Sequence, residues 1–405
     1  MNDQRVVVVG GGIWGLSTAY HLAEMGCESV RLLERNDDIA LETTPRAAGL
    51  VGQIRTSPAM CGAIQYALQL FEELGARSGL DLGLHRTGSL MVALTPERME
   101  AYARQVALAV QNKVDVAFVS HDEMKRLSPA LDVSKLEGGF FVAGDGYVEP
   151  QKCARAYAAA ARELGVSIEL NTPVTGLQIE AGQVRGVATD AGVVEADAVI
   201  VTAGPWTAQL ARQSGHDLPL VPVRHQRVRT APAAGIPDHH PVVRVTDVSC
   251  YVRPEQGGYL YGFFEPEPTP IDLEAMPPTF RTDDIEPPVD VMAEAQRRLA
   301  AVYPILGELD IAEYKQGMTT FAPDGMFLAG PVPATDGLFV ASACAALGIA
   351  GSAAMGRWLS SWVLHGKPDE DLSEFNLLRF GDRVTDHQWV REQGTSFYGT
   401  YYGID

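Results

Sequence analysis

The sequence is poor in positive charge and lacks paired cysteines, and each shortage excludes a class of protein. Its 405 residues contain 32 Lys and Arg against 51 Asp and Glu, which gives a formal net charge of −19. A chain with no basic excess has little with which to meet nucleic-acid phosphates or an anionic membrane, so we expect neither partner. The five cysteines are scattered and never form a CxxC pair, which predicts reduced thiols and no metal site.

Long apolar runs are also scarce, with one exception. Residues 337–356 carry no charge, but they are rich in Gly and Ala rather than Leu and Ile. The short β-rich run LFVAS follows a turn glycine there, which predicts a buried strand followed by a tightly packed helix. The chain reaches its first strand within five residues, leaving no room for a signal peptide. We therefore expect a cytoplasmic protein with no membrane helix.

A glycine motif near the N-terminus is the strongest positive signal. Residues 5–34 read as strand, helix and strand, with Gly10, Gly12 and Gly15 in G-x-G-x-x-G order at the first junction and Glu34 ending the second strand. Gly10 permits a tight turn, Gly12 lets the backbone approach a pyrophosphate, and Gly15 lets helix and strand pack closely. The helix start offers N–H groups and a partial positive charge to a diphosphate. Glu34 suits the two hydroxyls of an adenosine ribose and would repel a 2′-phosphate, which leaves FAD or NAD.

The following segment favours FAD. An NAD-binding domain would continue as alternating strands and helices, whereas this chain enters TTPRAAGLVGQIR (43–55). Backbone amides of such small residues can lie along the flavin end of an extended dinucleotide. Near the other end of the chain, Gly348, Ile349 and Gly351 would begin a helix against the isoalloxazine ring, where its dipole stabilises the negative charge of the reduced flavin.

The residue pattern in the rest of the chain predicts a second domain. Residues 151–209 return to α/β alternation, whereas residues 220–316 are dense in proline and alternate β-branched with aromatic residues, as in an antiparallel sheet. We predict a mixed α/β protein of two domains: a Rossmann-like FAD-binding domain built from discontinuous segments, and an antiparallel-sheet substrate domain. The FAD-binding domain is assigned 1–84, 148–222 and 318–380, the substrate domain 85–147 and 223–317, and a C-terminal tail 381–405.

Several stretches resemble the amine-oxidising flavoproteins of the D-amino-acid oxidase superfamily, in particular the flavin half of dimethylglycine and sarcosine dehydrogenases. They cover nearly the whole chain in order: VVVVGGGIWGLSTAYHLAEMG, AAGLVGQIRTS, RTGSLMVALTPERMEA, DGYVEP, VIVTAGPWTAQLA, APDGMFLAGP and GRWLSSWVLHGKPDEDL. The resemblance implies an FAD-dependent oxidoreductase acting on a secondary or tertiary amine, such as an N-methyl or N-alkyl amino acid. A hydride equivalent passes from the carbon next to nitrogen to flavin N5, and the imine then hydrolyses. The implied electron acceptor is O₂ or an electron-transfer protein.

The chain departs from these relatives at three points. Where members often carry a histidine that attaches FAD covalently, this sequence has Arg46. We therefore expect non-covalent FAD, with Arg46 beside the pyrophosphate or ring edge, a surface arginine being the alternative. The sequence ends at Asp405, about where a folate-binding domain would follow, so an N-methyl substrate is expected to give formaldehyde. Sarcosine oxidases have a lysine that assists O₂ where a local alignment gives Leu260, which favours a dehydrogenase or a slow oxidase.

The motifs and the resemblance together assign a set of cofactor contacts, drawn from the glycine motif, the small-residue segment and the C-terminal ring-facing loop. They are Gly10, Gly12, Ile13, Trp14, Gly15, Glu34, Arg35, Thr43, Thr44, Arg46, Ala47, Ala48, Gly49, Leu50, Val174, Ala203, Gly204, Trp206, Leu347, Gly348, Ile349 and Ala350.

The block SCYVRPEQGGYLYGFFEPE (249–267) is the main candidate for the substrate wall. By alternation, Tyr251 and Arg253 share one face of a strand, as do Tyr259 and Tyr261 of the next strand. An inward Arg253 would bind a substrate carboxylate with two hydrogen bonds, whereas an outward one is a surface charge.

Two further candidates and two assemblies are left open. His225, in VPVRHQRVRT, is either a site histidine or a structural one, and Thr319, next to Thr320, precedes the turn APDG and could touch the ligand. A stand-alone amine oxidoreductase and a flavin-carrying subunit of a hetero-oligomer both fit the sequence. Glycine or a cyclic imino acid also fits as a substrate.

Overall fold

The computed structural model describes residues 2–237 and 239–403, in which helices and strands are interleaved along the chain. The helices α1–α9 are, in order, Ile13–Glu24, Pro58–Ser78, Pro96–Gln111, His121–Leu127, Pro150–Glu163, Thr207–Arg212, Val289–Ala300, Ser352–His365 and His387–Gly399. The strands β1–β19 are Asn2–Val9, Cys27–Leu33, Leu50–Val51, Ser89–Ala93, Val116–Phe118, Gly138–Val142, Gly146–Tyr147, Ser167–Glu169, Val174–Glu180, Gln183–Thr189, Gly192–Glu195, Ala198–Val201, Val221–Thr230, Val242–Val245, Cys250–Glu255, Gly258–Phe263, Ile311–Phe321, Leu328–Pro331 and Leu338–Ser342.

A six-stranded sheet carries the N-terminal glycine motif. Its order is β18-β19-β12-β1-β2-β8, and β1 is parallel to both of its neighbours. Val6 and Val8 pack into one apolar cluster with α1, while Val7 and Val9 pack into another on the opposite face. Because both faces of β1 are covered, the strand reads as an uninterrupted apolar run rather than an alternating one.

An eight-stranded sheet forms the second layer, in the order β17-β13-β16-β15-β14-β4-β6-β5. Its pairs are antiparallel except for β14 with β4, which is parallel. Helix α7 covers one face through Met292, Ala295 and Leu299. Tyr251 and Leu260 lie on the opposite face, in a cluster with Ala48 of the small-residue segment.

The two longest strands of this sheet cross the predicted domain boundaries. β13 begins before residue 222 and β17 continues beyond residue 317. Because β13 and β17 pair with each other along their whole length, a boundary inside either strand is wrong and belongs at the strand end. The division into two domains remains a prediction; the strands of the two large sheets otherwise come from the segments assigned to one domain each, whereas β3 pairs with β7 across the assigned segments.

Two stretches differ from their sequence-based interpretation. Within residues 151–209, the apolar stretch VVEADAVIVTAG predicts a single strand, but it divides into β11, which pairs with β10 in a small sheet, and β12 of the six-stranded sheet. The break lies at Asp197, whose carboxylate accepts hydrogen bonds from the backbone and side chain of Arg5. The C-terminal tail contains α9, which begins where Asp386 caps the N–H of Trp389.

The uncharged stretch 337–356 forms β19 and the start of α8. Throughout residues 2–237 and 239–403, every helix is too short or too polar to cross a bilayer.

Candidate active site

A cavity of about 680 Å³ lies between the two large sheets. Val9, Leu33 and Thr202 line it where β1, β2 and β12 end, and His225 and Tyr251 line it from the eight-stranded sheet. β1 has a parallel partner on each side, so its carboxyl end is the place where the chain connections diverge and where such sheets bind ligands.

The glycine motif forms a cradle at the carboxyl end of β1. Gly10 has φ +105°, and a Cβ on it would come within 2.8 Å of the Thr202 carbonyl oxygen. A Cβ on Gly15 would collide with the carbonyl oxygen of Gly10, so α1 packs directly on its strand. Over Gly12 the nearest atom to an added Cβ is Thr44 Oγ1 at 3.7 Å, which leaves that backbone open to the cavity. The residues present therefore fit a pyrophosphate against the α1 N-terminus.

Glu34 holds a fixed carboxylate beside this cradle. Its Oε2 accepts from Gly11 N at 2.6 Å and its Oε1 from Asn36 N at 2.9 Å. Burial raises the pKa of Glu34, and these two N–H groups partly oppose that rise. Nearby, the Arg35 guanidinium lies 3.9 Å from the centroid of the Trp206 ring, and both side chains line the cavity. This region fits the adenosine half of a dinucleotide.

A strained loop lies at the other side of the cradle. Ala343, Ala345 and Ala346 have φ of 55°, 45° and 58°, a left-handed conformation that costs alanine about 1 kcal/mol per residue. Two threonines of β17 hold it there: Thr320 Oγ1 accepts from Cys344 N at 3.0 Å, and Thr319 Oγ1 accepts from Ala346 N at 2.9 Å. Such strain is retained where the surrounding structure enforces it, and it is typical of ligand sites.

The start of α1 is tied to the segment that precedes α8. Trp14 Nε1 donates to the Gly348 carbonyl at 2.8 Å, and Leu347, Gly348 and Ile349 line the cavity. The two nucleotide-facing segments are therefore fixed to each other across the cavity.

His225 sits between two tyrosine hydroxyls. Its Nδ1 lies 2.9 Å from Tyr398 Oη and its Nε2 lies 3.2 Å from Tyr251 Oη. Burial, assisted by the charge of Arg227, lowers the pKa of His225 to about 4. The imidazole is thus neutral near pH 7, with one ring nitrogen donating to a tyrosine and the other accepting from one. Burial also raises the pKa of Tyr251, so the pair is uncharged.

Two arginines also line this part of the cavity. Burial acts to lower the pKa of Arg244, but Tyr402, Asp145 and Tyr401 outweigh it and the pKa rises. Arg55 differs: burial lowers its pKa, and it forms no ion pair with any described residue. Its Nε is buried without a hydrogen-bond partner in the described part of the chain. A cation with a buried, unpartnered donor of this kind is expected to meet an anion supplied by a ligand.

Comparison with known proteins identifies the architecture. The family model described as DAO, FAD dependent oxidoreductase, matches residues 5–362. The chain belongs to this family. Over 400 residues it is 32% identical to 4-methylaminobutanoate oxidase (formaldehyde-forming) of Paenarthrobacter nicotinovorans, covering 99% of this chain and 48% of that protein. Over 404 residues it is 30% identical to mitochondrial dimethylglycine dehydrogenase of Rattus norvegicus, covering 98% and 47%.

The fold is shared with the crystal structure of L-proline dehydrogenase from P. horikoshii, with a TM-score of 0.84 at 23% identity, over 94% of this chain and 98% of that one. The chain spans about half the length of the curated relatives it matches. These matches confirm the predicted family, the α/β fold class, the FAD cofactor and the class of FAD-dependent oxidoreductase.

Most of the residues predicted to contact FAD line the cavity. They are Gly10, Gly12, Ile13, Trp14, Glu34, Arg35, Thr43, Thr44, Arg46, Ala47, Ala48, Gly49, Leu50, Val174, Ala203, Gly204, Trp206, Leu347, Gly348 and Ile349. Their individual roles toward FAD stay predictions. Gly15 and Ala350 do not line it: Gly15 packs on Gly10, and Ala350 is fully buried in the core. Both are corrected to packing residues that position the FAD-binding backbone.

Arg46 lines the cavity, but its guanidinium is bound to other parts of the protein, and its position relative to FAD stays a prediction. The guanidinium donates to the carbonyls of Leu41 and Glu42 and pairs with Asp283. The side chain is 9% exposed, so it is not a surface arginine. Arg46 therefore ties the small-residue segment to the loop that contains Asp283.

The predicted role of Arg253 is wrong. Its Nε donates to the Ala48 carbonyl at 3.0 Å, and its Nη1 donates to the carbonyl of Pro254 and to Glu255. The guanidinium lies 4.2 Å from the Tyr147 ring centroid, and the residue does not line the cavity. Arg253 fixes the backbone of the small-residue segment instead of binding a carboxylate.

Tyr259 and Tyr261 are excluded from the site by strand register. In the β15–β16 hairpin, Tyr261 pairs with Val252 and Tyr259 with Pro254, so both tyrosines lie opposite the face of Tyr251. They pack into the apolar cluster under α7. The remaining candidates, His225, Tyr251 and Thr319, do line the cavity.

Sequence reasoning missed Arg55, Arg244, Tyr401 and Tyr402, which all line the cavity. The small-residue segment contains both Arg46 and Arg55, and only Arg46 was given a role. A signal for Arg55 was present, because an arginine in a segment otherwise suited to close packing needs a buried anion.

Proposed function

We propose that this protein oxidises the carbon–nitrogen bond of an amino acid that carries a secondary or tertiary amine, such as an N-methyl or N-alkyl amino acid. FAD held by the glycine cradle would supply the acceptor for a hydride equivalent from the carbon next to nitrogen, and hydrolysis of the resulting imine would give the smaller amine and an aldehyde or keto product. The observation that carries this proposal is Arg55, a half-buried arginine whose Nε is buried without a hydrogen-bond partner among the described residues, in one cavity with the FAD cradle and the neutral His225–Tyr251 pair.

Arg55 is proposed to bind the substrate carboxylate. Its Nε has no partner among the described residues, so an entering carboxylate can accept a charge-assisted hydrogen bond without displacing one. Arg244 is held by Tyr402 and by the nearby Asp145, and it adds positive charge beside the same site. This end of the cavity therefore selects an anion, whereas a simple alkylamine would find two cations and no partner.

The same charges favour the reactive form of the amine. Oxidation requires the nitrogen lone pair, so the amine must be neutral when it reacts. Arg55 and Arg244 disfavour an ammonium ion nearby, and the His225–Tyr251 pair offers it a hydroxyl and a neutral ring rather than a carboxylate. The tyrosine hydroxyl can orient the nitrogen by a hydrogen bond, and no strong base is needed.

The names of the relatives agree with this substrate class. One is described as a 4-methylaminobutanoate oxidase and one as a dimethylglycine dehydrogenase. Both compounds combine a methylated amine with a carboxylate, the two groups that this cavity is proposed to hold.

An anaerobic screen tests the proposal. Sarcosine, dimethylglycine, 4-methylaminobutanoate, proline and glycine are mixed with the purified yellow protein, and loss of the visible flavin absorbance is recorded. At least one methylated amino acid should bleach the flavin of the protein alone. If none does, gel filtration with candidate partner chains distinguishes a flavin-carrying subunit from a protein with another substrate.

Arg55 gives the matched mutational test. Replacing it by alanine removes a buried charge-assisted contact, for which we expect KM to rise roughly 30- to 100-fold. Arg86→Ala is the control, since Arg86 is a partly exposed arginine paired with Glu72 outside the cavity. Equal KM values for the two variants would show that Arg55 does not bind the substrate.

A further inference from the structure

The segment that follows α9 forms part of the cavity wall. Tyr401 and Tyr402 line the cavity next to Arg55 and Arg244, and the pKa of each arginine responds to both tyrosines. Tyr401 stacks on Phe264 with ring centroids 4.1 Å apart and an interplanar angle of 5°, and Tyr402 meets the same ring edge-on at 5.2 Å. Phe264 also lines the cavity, so three aromatic rings form one continuous wall.

A buried arginine outside the cavity holds this wall in place. Arg98, in the first turn of α3, is 5% exposed and is not one of the cavity-lining residues. Its Nη2 donates to the Tyr402 carbonyl at 2.8 Å and its Nη1 to the Gly403 carbonyl at 3.1 Å. One planar guanidinium therefore grips two successive carbonyls of the segment.

The arginine is itself anchored to the sheet. Its Nε donates to Asp247 Oδ1 at 3.2 Å, and Asp247 Oδ2 accepts from Leu94 N at 2.9 Å, at the end of β4. The grip on the segment is thus fixed to the eight-stranded sheet. A lysine in place of Arg98 could keep the ion pair with Asp247. Its single ammonium group could not donate to both carbonyls in one plane, as the guanidinium does.

We propose that Arg98 is a positioning residue that clamps the segment 401–403, so that Tyr401 and Tyr402 form a fixed wall that sets the size of the substrate. This inference rests on the proposed function, because it concerns the substrate end of that same cavity. The clamped wall selects small amino acids with short N-alkyl groups. A loosened clamp lets the wall move away, which weakens binding of small substrates and admits longer ones.

The wall also positions the charge that faces the carboxylate. Tyr402 is hydrogen-bonded to Arg244 through its side chain, while its carbonyl is held by Arg98. The contacts therefore run from Arg98 through one residue of the segment to a cation of the site. A displacement of Tyr402 is therefore expected to weaken substrate binding more than it slows the reaction at the carbon next to nitrogen.

The test uses Arg98→Lys in the FAD-loaded, full-length protein, with Arg126→Lys as the matched control. Arg126 is exposed on α4, where it pairs with Glu123 one turn away. We measure KM and kcat for the methylated amino acid that bleaches the wild-type flavin best and for its homologue with a longer N-alkyl group. We also measure Kd for benzoate, a carboxylate that does not reduce flavin, from the shift of the visible flavin spectrum.

Arg98→Lys should raise KM for the short substrate and Kd for benzoate about tenfold, with kcat within roughly threefold of wild type. The preference for the short over the long substrate should shrink by a similar factor, and Arg126→Lys should match wild type. The effect of Arg98→Lys on the size preference should also become smaller when it is introduced into a Tyr401→Ala protein, since one ring of the wall has then been removed.

Unchanged KM, Kd and size preference in Arg98→Lys would overturn the proposal, as would equal losses of kcat, bound FAD and thermal stability, which indicate a structural role only. If no amine reduces the wild-type flavin, the proposed function fails. The Kd for benzoate then still tests whether Arg98 holds the segment 401–403 in place. A tenfold rise in Arg98→Lys supports this proposal, and an unchanged value contradicts it.

Discussion

His225 is a neutral histidine between two tyrosine hydroxyls, and its protonation state can be measured. His225 is buried, and its pKa of about 4 lies below the ordinary 6.5 because burial, and then Arg227, disfavour the imidazolium. The folded protein therefore binds this proton less well than the unfolded chain. Its contribution opposes folding as the pH falls from about 6.5 toward 4, and it is absent above that window.

His225→Gln should reduce the acid lability of the fold. The glutamine can keep hydrogen bonds to tyrosine hydroxyls but does not titrate. The wild-type protein should lose on the order of 3 kcal/mol of stability through this group between pH 6.5 and 4, and the variant should lose correspondingly less. Thermal unfolding midpoints recorded across this range check the prediction, and parallel curves for the two proteins would contradict it.

Single residues also show where sequence reasoning stops. The strand–glycine–helix motif predicted the cradle because each glycine meets a local constraint, such as φ +105° at Gly10. The contacts of Arg46 and Arg253 were not predicted because each includes a partner distant in the sequence: Arg46 pairs with Asp283, and Arg253 donates to the Ala48 carbonyl. Such pairings depend on how segments fold over one another, which no local pattern records.

At the scale of elements, a loop of the eight-stranded-sheet region lies over the nucleotide side of the cavity. Leu273, Met276 and Phe280 of this loop line the cavity, and Glu42 anchors it. Glu42 Oε2 accepts from both N and Oγ1 of Thr282, at 3.0 and 2.7 Å. Burial acts to raise the pKa of Glu42, but Thr282 and Arg35 outweigh it, so the carboxylate stays charged.

Thr282→Val should therefore speed the release of FAD. The substitution keeps the shape of the side chain and removes one hydrogen bond to a charged acceptor, for which we expect roughly a tenfold weaker FAD affinity. Release is followed by the fluorescence of free flavin after dilution. Thr189→Val, in a hairpin outside the cavity, is the control. Equal release rates for both variants would show that the loop does not retain the cofactor.

Elements differ in how well the sequence predicts them. The parallel strand β1 and helix α1 follow from an apolar run and a glycine motif that allow one arrangement. The hairpin of β15 and β16 and the alternation within each strand were predicted correctly, but alternation does not tell which face of one strand matches which face of the other, so the register could not be predicted. That register decides that Tyr251 lines the cavity while Tyr259 lies under α7.

At the scale of the whole molecule, the two sheets share the site between them. The six-stranded sheet supplies the glycine cradle, and the eight-stranded sheet supplies His225, Tyr251 and Arg244. The family match over residues 5–362 joins both sheets in one FAD-dependent oxidoreductase. Arg46 pairs with Asp283 and Arg253 of β15 donates to the Ala48 carbonyl, so the small-residue segment is tied at two points to the region of the second sheet.

The attachment of FAD is a further property of the whole protein. Arg46, the residue on which the expectation of non-covalent FAD rests, is not a nucleophile and is bound to the Leu41 and Glu42 carbonyls. Acid precipitation should therefore leave the yellow colour in the supernatant. A yellow pellet would show a covalent link and would point to another residue of the cavity.

The proposal that Arg55 binds the substrate carboxylate is tested by adding two amines, separately and under anaerobic conditions, to the FAD-loaded protein. Dimethylglycine carries the carboxylate that Arg55 is proposed to bind, and trimethylamine lacks it. We expect dimethylglycine, or the best methylated amino acid of the screen, to bleach the flavin at least tenfold faster than its carboxylate-free counterpart. We expect Arg55→Ala to abolish this preference. Equal bleaching by the two amines, or an unchanged preference in Arg55→Ala, would contradict it.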